Sequence, residues 1–351
     1  MDLAKFLTDA LTEIEQKNLF RRLPELQNID AGFSRNTYLG NHFGASGSRL
    51  ISGNHRLYAR LEKELSLWKK TAAALIYPTG YMTNLGVISA LMNKGDLIIL
   101  DKLCHASLID GARLAQADIR VFKHNNSASL EKILRQSRNY KKILVVTESI
   151  FSMDGDRTPL LELTTLRRQY GFWLLVDEAH AVGVFGERGE GLAGQLGVNQ
   201  DIDIQIGTFS KAFDGLGGYV CGSRLLIDYL VNRSRAFIYT TALPQIILQK
   251  NLANLKKVQS KKRREKLWKN IACFGARLGV KANSAIIPLL IGDEQKTLAL
   301  AEKLRDSGFI IPAIRYPTVP RGQARLRLTL SAEQTKRQMD KLLKIILKAL
   351  K

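Results

Sequence analysis

Apolar and polar positions follow two rhythms along most of this chain. Runs dense in apolar residues recur at 72–77, 97–101, 119–122, 143–147, 173–177, 202–208 and 218–222, and each reads as a buried strand. Between them apolar residues return every three or four positions, as in Leu57, Leu61, Leu65 and Trp68, the spacing of an amphipathic helix. Buried strands separated by helices predict an α/β fold, with a mostly parallel sheet covered on both faces. Leu3, Phe6, Leu7, Ala10, Leu11 and Ile14 predict an N-terminal helix. A helical, charge-rich stretch runs from Pro244 to about Phe274, followed by strands near 284–291 and 323–330 and helices near 294–307 and 331–350. The expected organisation is an N-terminal helix and small-domain segment over 1–36, a large domain over 37–243, a connecting helix over 244–274 and a smaller α+β domain over 275–351.

Length supports this picture, since 351 residues suit about two domains with a sizeable core. The formal net charge of +21 bears on association rather than on fold. The lysines of 256–270 and 336–351 sit within helical spacing and read as solvated helix faces, not as a nucleic-acid patch. Cys104, Cys221 and Cys273 form no CxxC pair, so neither a disulfide framework nor a metal site is expected, and a reducing compartment is the default. Cys104 reads as a buried small hydrophobe rather than a nucleophile. No apolar run has the length of a membrane span and no signal-peptide core opens the chain, which makes a cytoplasmic protein the expectation.

The candidate chemistry lies between residues 177 and 211. Asp177-Glu178-Ala179-His180 closes one apolar strand and Thr208-Phe209-Ser210-Lys211 closes the next. This places a carboxylate, an imidazole, a hydroxyl and an amine at neighbouring strand ends, where α/β proteins hold ligands. Pyridoxal phosphate needs an amine for covalent attachment and a carboxylate beside its ring nitrogen, jobs that suit Lys211 and Asp177. Lys211 alone would be one solvated charge among 53 Lys plus Arg, but the run Phe172–Val176 delivering Asp177 favours a site. Three other strand ends add candidates: Gly80 and Tyr81 at a helix start, His105 as a flat stacking partner, and Ser152 in the loop Phe151–Asp156. Asp154 and Asp156 lack the twelfth-position Glu of a calcium loop.

The segments Phe151–Asp156, Val176–His180 and Thr208–Ala212 together resemble the α-oxoamine synthases, and the similarity runs from about Tyr38 to the C-terminus. The resemblance implies the aspartate-aminotransferase fold of pyridoxal-phosphate enzymes (fold type I) and condensation of an amino acid with an acyl thioester, with loss of carbon dioxide. Segments 237–244, 313–320 and 324–330 resemble the member that joins L-alanine to a pimeloyl group, carried on acyl carrier protein or coenzyme A, in biotin biosynthesis. Carried over residue by residue, it implies that Lys211 binds the cofactor, Asp177 pairs with its ring nitrogen, His180 and Ser152 flank O3′, and His105 stacks on the ring. Gly80, Tyr81 and Thr208 would hold the phosphate, while Thr240 and Thr241 would approach the phosphate of a second subunit, implying a homodimer. Asn36 and Arg327 match positions for the amino-acid carboxylate, and Thr318 and Arg21 match the acyl-donor region. The chain is shorter than this family between Arg22 and Asn36 and between Gly40 and Ser48, and Asp214 replaces its usual glycine. A regulatory DNA-binding relative would need an appended helix-turn-helix, which is missing; a silent subunit fits poorly with Lys211, Asp177, His180 and His105 present together.

Overall fold

The computed structural model describes residues 2–24, 35, 36, 38 and 44–349. Most of the two shortened stretches lies outside the described residues. The described chain divides into two compact units, the first ending at Gln259 but excluding Ile150–Arg157, the second made of that loop and the residues from Ser260 onward.

The first unit opens with α1 (Leu3–Gln16) and α2 (Arg56–Lys69). It then alternates β1 (Ala73–Tyr77), α3 (Gly80–Leu91), β2 (Leu97–Asp101), α4 (Ala106–Leu114), β3 (Asp118–Phe122), α5 (Ser127–Arg135), β4 (Ile143–Glu148), α6 (Leu160–Tyr170) and β5 (Trp173–Asp177). There follow α7 (Leu192–Leu196), β6 (Ile204–Thr208), β7 (Gly218–Gly222), α8 (Arg224–Arg233), α9 (Arg235–Ile238) and α10 (Gln245–Val258). The strands form one seven-stranded sheet in the order β1-β7-β6-β5-β4-β2-β3. Strands β2 to β6 pair in parallel, whereas β7 runs antiparallel to β6 and β1. Residues 209–217 are too few for the crossover that a parallel partner would need, so β7 reverses.

Both faces of this sheet are covered, as the unbroken apolar strands require. Leu75 and Tyr77 of β1 face a core shared with α1, α3 and α8, while Ala74 and Ile76 face another shared with α2 and α10. Leu3, Leu7 and Leu11 bury one stripe of α1 in the first of these cores, and the Phe6 ring lies 5.3 Å from that of Trp173. The N-terminal helix is therefore part of the large unit and not a small-domain segment. The expected connecting helix is also broken: α10 stops at Val258, and Ser260 caps a new helix, accepting from Arg263 N through its side chain.

The second unit contains α11 (Lys261–Leu278), β8 (Ile286–Gly292), α12 (Glu294–Asp306), β9 (Ala313–Ile314), β10 (Ala324–Thr329) and α13 (Lys336–Ala349). Its strands form an antiparallel sheet in the order β8-β10-β9, so this unit is α+β. The two-residue β9 is too short to show in the apolar pattern. Residues 150–157 cluster here rather than in the large domain because Asp154 pairs with Arg325 and Arg157 Nε donates to Asn283 O at 2.8 Å. Gly155, at φ +67°, lies so close to β8 that a Cβ would sit 2.3 Å from Ile286 O.

Candidate active site

Strands β2, β4, β5 and β6 are parallel and end at one sheet edge, where most of the polar candidates gather. Burial of the apolar residues of β5 carries Asp177 to that edge. Asp177 is 7% exposed, with Oδ1 accepting from Ala179 N at 2.8 Å and Oδ2 from Asn84 Nδ2 of α3 at 2.9 Å. Beside it in the β4–β5 register is Glu148, buried, with Oε1 accepting from His105 N at 2.6 Å. Burial, and then the charge of Asp177, push the Glu148 carboxyl well above the usual carboxylate range.

Lys211 reaches the same edge by a different device. Phe209 and Phe213 are both buried, their rings 5.1 Å apart, while Phe209 N donates to Gly217 O at 2.9 Å and Gly215 N to Phe209 O at 2.7 Å. Anchoring this tight loop by its two phenylalanines leaves Ser210 and Lys211 exposed between them. Lys211 Nζ lies 2.9 Å from His180 Nε2. Asp214, at φ +48°, forms a 3.1 Å ion pair with Lys250 and is 90% exposed at its side chain, so the acid replacing a glycine is directed to solvent.

The start of α3 presents free backbone donors. Thr79 caps the helix by accepting from Met82 N, and the N–H groups of Gly80 and Tyr81 fall in the first turn, where no intrahelical acceptor exists. Thr208 is close by: a Cβ on Gly80 would stand 3.3 Å from its Oγ1. Gly218 allows α3 to approach the sheet, since a Cβ there would lie 2.6 Å from Gly80 Cα. Thr208 is 5% exposed, its Oγ1 donating to Gly217 O at 3.0 Å and lying 2.8 Å from Ser210 Oγ. The exposed hydroxyl at this strand end is thus that of Ser210, which the sequence reading passed over. Tyr81 bonds through its hydroxyl to Asp110, which raises its pKa. His105 caps α4 with an exposed ring, Nδ1 accepting from Ser107 N.

The remaining candidates are carried by other elements. Thr240 and the exposed Thr241 follow α9, beside a loop in which Ala242 N donates to Gly47 O at 3.0 Å and Asn36 N to Ser46 O at 2.8 Å. Arg21 is held at the end of α8, with Nη1 donating to Asn232 O at 3.0 Å. In the second unit Arg327 Nε donates to Ser152 O and its Nη1 to Thr329 Oγ1 at 3.0 Å, while burial lowers its pKa. Thr318 is exposed in the turn after β9. Cys104 is 6% exposed, and burial raises its thiol well above the ordinary value, as suits a packed residue rather than a nucleophile. Among the described residues no cluster has the ligand set of a metal ion, and no helix is long and apolar enough to cross a membrane.

Asn84, Ser107, Glu148 and Ser210 were missed as site residues. Glu148 had a signal, since it closes an apolar strand as Asp177 does. Ser107 had one in its place two residues after His105, in the first turn of α4, whereas Asn84 had none, because it lies within a helix whose packing brings it to the strand ends.

Known proteins match this chain over nearly its whole length. It is 39% identical over 376 residues to the 8-amino-7-oxononanoate synthase of Bacillus pumilus, an alignment covering 97% of this chain and 96% of the relative. A serine palmitoyltransferase from S. paucimobilis, solved with bound PLP and myriocin, superposes with a TM-score of 0.84 at 32% identity, covering 87% of this chain and 79% of that one. The 8-amino-7-oxononanoate synthase of Francisella tularensis superposes with a TM-score of 0.75 at 31% identity, covering 87% of this chain and 88% of that one. With β7 reversed in an otherwise parallel sheet, a lysine and a buried aspartate at its edge, and residues 27–346 matching the family model "Aminotransferase class I and II", the chain belongs to that family.

Proposed function

We propose that this chain is a pyridoxal-phosphate-dependent acyltransferase that condenses L-alanine with a pimeloyl thioester, releasing carbon dioxide, the free thiol carrier and 8-amino-7-oxononanoate for biotin biosynthesis. The observation that carries the reading is the pairing of Lys211 with His180, at 2.9 Å, beside a buried Asp177, in a chain whose relatives across its full length are 8-amino-7-oxononanoate synthases. The residues present fit the cofactor. The first-turn N–H groups of α3 with Ser210 and Thr208 suit its phosphate, and Asp177, bound by two protein donors, retains acceptor capacity for a protonated ring nitrogen. His105 presents an exposed ring for stacking, and Lys211 offers the amine.

Pyridoxal phosphate, when bound, supplies a carbonyl carbon for amine attachment and a ring that withdraws electrons from the amino acid's Cα. Asp177 keeps the ring nitrogen protonated, which makes that withdrawal effective. Lys211 Nζ removes the Cα proton and later returns one, with His180 Nε2 as its hydrogen-bond partner. Ser152 is assigned to O3′. Arg327, with Nη2 free of hydrogen bonds among the described residues, is assigned with Asn36 to the alanine carboxylate. Thr318 and Arg21 are assigned to the acyl donor.

Thr240 and Thr241 are assigned to the phosphate of a second subunit, so the working form is a homodimer. Exposed Tyr239 and Ile246 beside them, 66% and 70% accessible, suit a surface that another copy covers. The donor is acyl carrier protein or coenzyme A; solvated lysines line the exposed faces of α11 and α13, and an acidic carrier would be steered to them. Free cysteines fit a cytoplasmic setting.

One experiment decides the reading. The purified protein is offered L-alanine, glycine or L-serine against pimeloyl, acetyl, succinyl and palmitoyl thioesters, and free thiol is scored; release only with a pair other than L-alanine and pimeloyl refutes it. The wild type is expected to be yellow, absorbing near roughly 420 nm as the lysine-bound cofactor does. Lys211→Ala is expected to lose that band.

A further inference from the structure

We propose that Asn84 and Ser107 are positioning residues that join Asp177 to His105 through a hydrogen-bond chain of fixed direction, holding the His105 ring with its proton on Nε2. The chain runs from Asp177 Oδ2 to Asn84 Nδ2 at 2.9 Å, from Asn84 Nδ2 to Ser107 Oγ at 2.8 Å, and from Ser107 Oγ to His105 Nδ1 at 2.8 Å. Its inner members are shielded from water, with Asn84 3% and Ser107 1% exposed.

Counting donors fixes the direction. A carboxylate only accepts, so the amide presents Nδ2 rather than Oδ1 to Asp177, and the second Nδ2 hydrogen goes to Ser107 Oγ. With that lone pair engaged, the Ser107 hydroxyl hydrogen is left for His105 Nδ1. The other end requires the same answer independently: the backbone N–H of Ser107, which cannot accept, also faces Nδ1 at 3.2 Å. A proton on Nδ1 would meet two donors. His105 Nε2 has no hydrogen-bond partner among the described residues, so its N–H is available to a ligand.

Asn84 Oδ1 is buried with no hydrogen-bond partner among the described residues. Unsatisfied buried acceptors are uncommon, and this one follows from turning both amide hydrogens toward Ser107 and Asp177. The His105 backbone is held as well, its N–H on Glu148 Oε1. The consequence is that the ring assigned to stack on the cofactor and the carboxylate assigned to its nitrogen are set by one polar network, itself placed by α3 and α4.

The inference rests on the proposed function only for what the Nε2–H serves; the tautomer can be read without substrate or cofactor. The chain carries five histidines. Labelling them with nitrogen-15 and assigning His105 by His105→Gln allows both ring nitrogens to be followed by NMR, with and without pyridoxal phosphate. Wild type and Ser107→Thr, which keeps the hydroxyl, are expected to show the Nε2–H tautomer alone. Ser107→Ala is expected to shift the tautomer ratio about fivefold toward Nδ1–H, the factor equivalent to one neutral hydrogen bond. Asn84→Asp is expected to shift it further, because the serine hydroxyl then donates to the new carboxylate. An Nδ1–H or mixed tautomer in the wild type overturns the proposal, as does a Ser107→Ala spectrum unchanged from it. A colourless protein with the Nε2–H tautomer intact would overturn the proposed function and leave this inference standing.

Discussion

Replacing Lys69 by Met should be among the most damaging single changes in the first unit, although Lys69 is not among the residues assigned to the chemistry. Lys69 is 1% and Glu178 0% exposed, and the ammonium contacts both Glu178 Oε2 and Glu190 O. The other Glu178 oxygen accepts from Ala193 N at 2.9 Å. Gly191 allows the chain to pass, since a Cβ there would lie 2.5 Å from the Glu178 carboxylate. Removing the lysine leaves a buried carboxylate with one backbone donor, a loss of about 3–5 kcal/mol. At an unfolding entropy of roughly 2 cal/mol/K per residue, a unit of about 250 residues would lose roughly 6–10 °C in Tm. Differential scanning fluorimetry and guanidinium unfolding of the cofactor-free chain measure both quantities. The double variant Lys69→Met/Glu178→Leu should be more stable than Lys69→Met alone, because two apolar side chains then fill the space without a stranded charge. A loss under about 1 kcal/mol for Lys69→Met, or a double variant no better than the single, would refute the reasoning. Glu178 follows Asp177 directly, so Lys69→Met is also expected to weaken cofactor retention.

The other predictions concern single groups. With its carboxyl pushed up in the fold, Glu148 keeps a proton that the unfolded chain has released; its contribution to stability is full below the ordinary glutamate value and is lost as pH rises toward the elevated one. Glu148→Gln should therefore match wild type near pH 4 and become more stable as pH rises, by up to about 1.4 kcal/mol per unit; parallel curves in urea titrations at several pH values would contradict this. Gly155→Ala should cost roughly 2–4 kcal/mol, whereas Gly171→Ala, at nearly the same φ but with open space around it, should cost about 1 kcal/mol by chemical unfolding. Gly218→Ala, crowding Gly80 and Thr83 Oγ1, should lower pyridoxal-phosphate affinity roughly tenfold or more in an absorbance titration, and unchanged affinity would remove the start of α3 from the site.

Much of this protein was legible before any coordinates. The strands at 97–101, 173–177 and 218–222 lie where the apolar runs predict, because a strand buried on both faces leaves a continuous apolar record. Asp177 was readable for a related reason, as a polar group delivered by such a run, whereas Lys211 is placed by the loop that Phe209 and Phe213 anchor. Period and composition, which are local, decide those features. What remained hidden depends on residues distant in sequence. Ile150–Arg157 clusters with the second unit because Arg325 and Asn283 meet it there. Asn84 looks like any polar helix residue until α3 brings it between Asp177 and Ser107. Thr208 and Ser210 exchanged prominence for the same kind of reason, since only the packed loop shows which hydroxyl faces inward. The sequence by itself determined which elements form and which cofactor chemistry is available. Tertiary packing decided the direction of each hydrogen bond in the site, because donors and acceptors find their partners only when the elements that carry them are in contact.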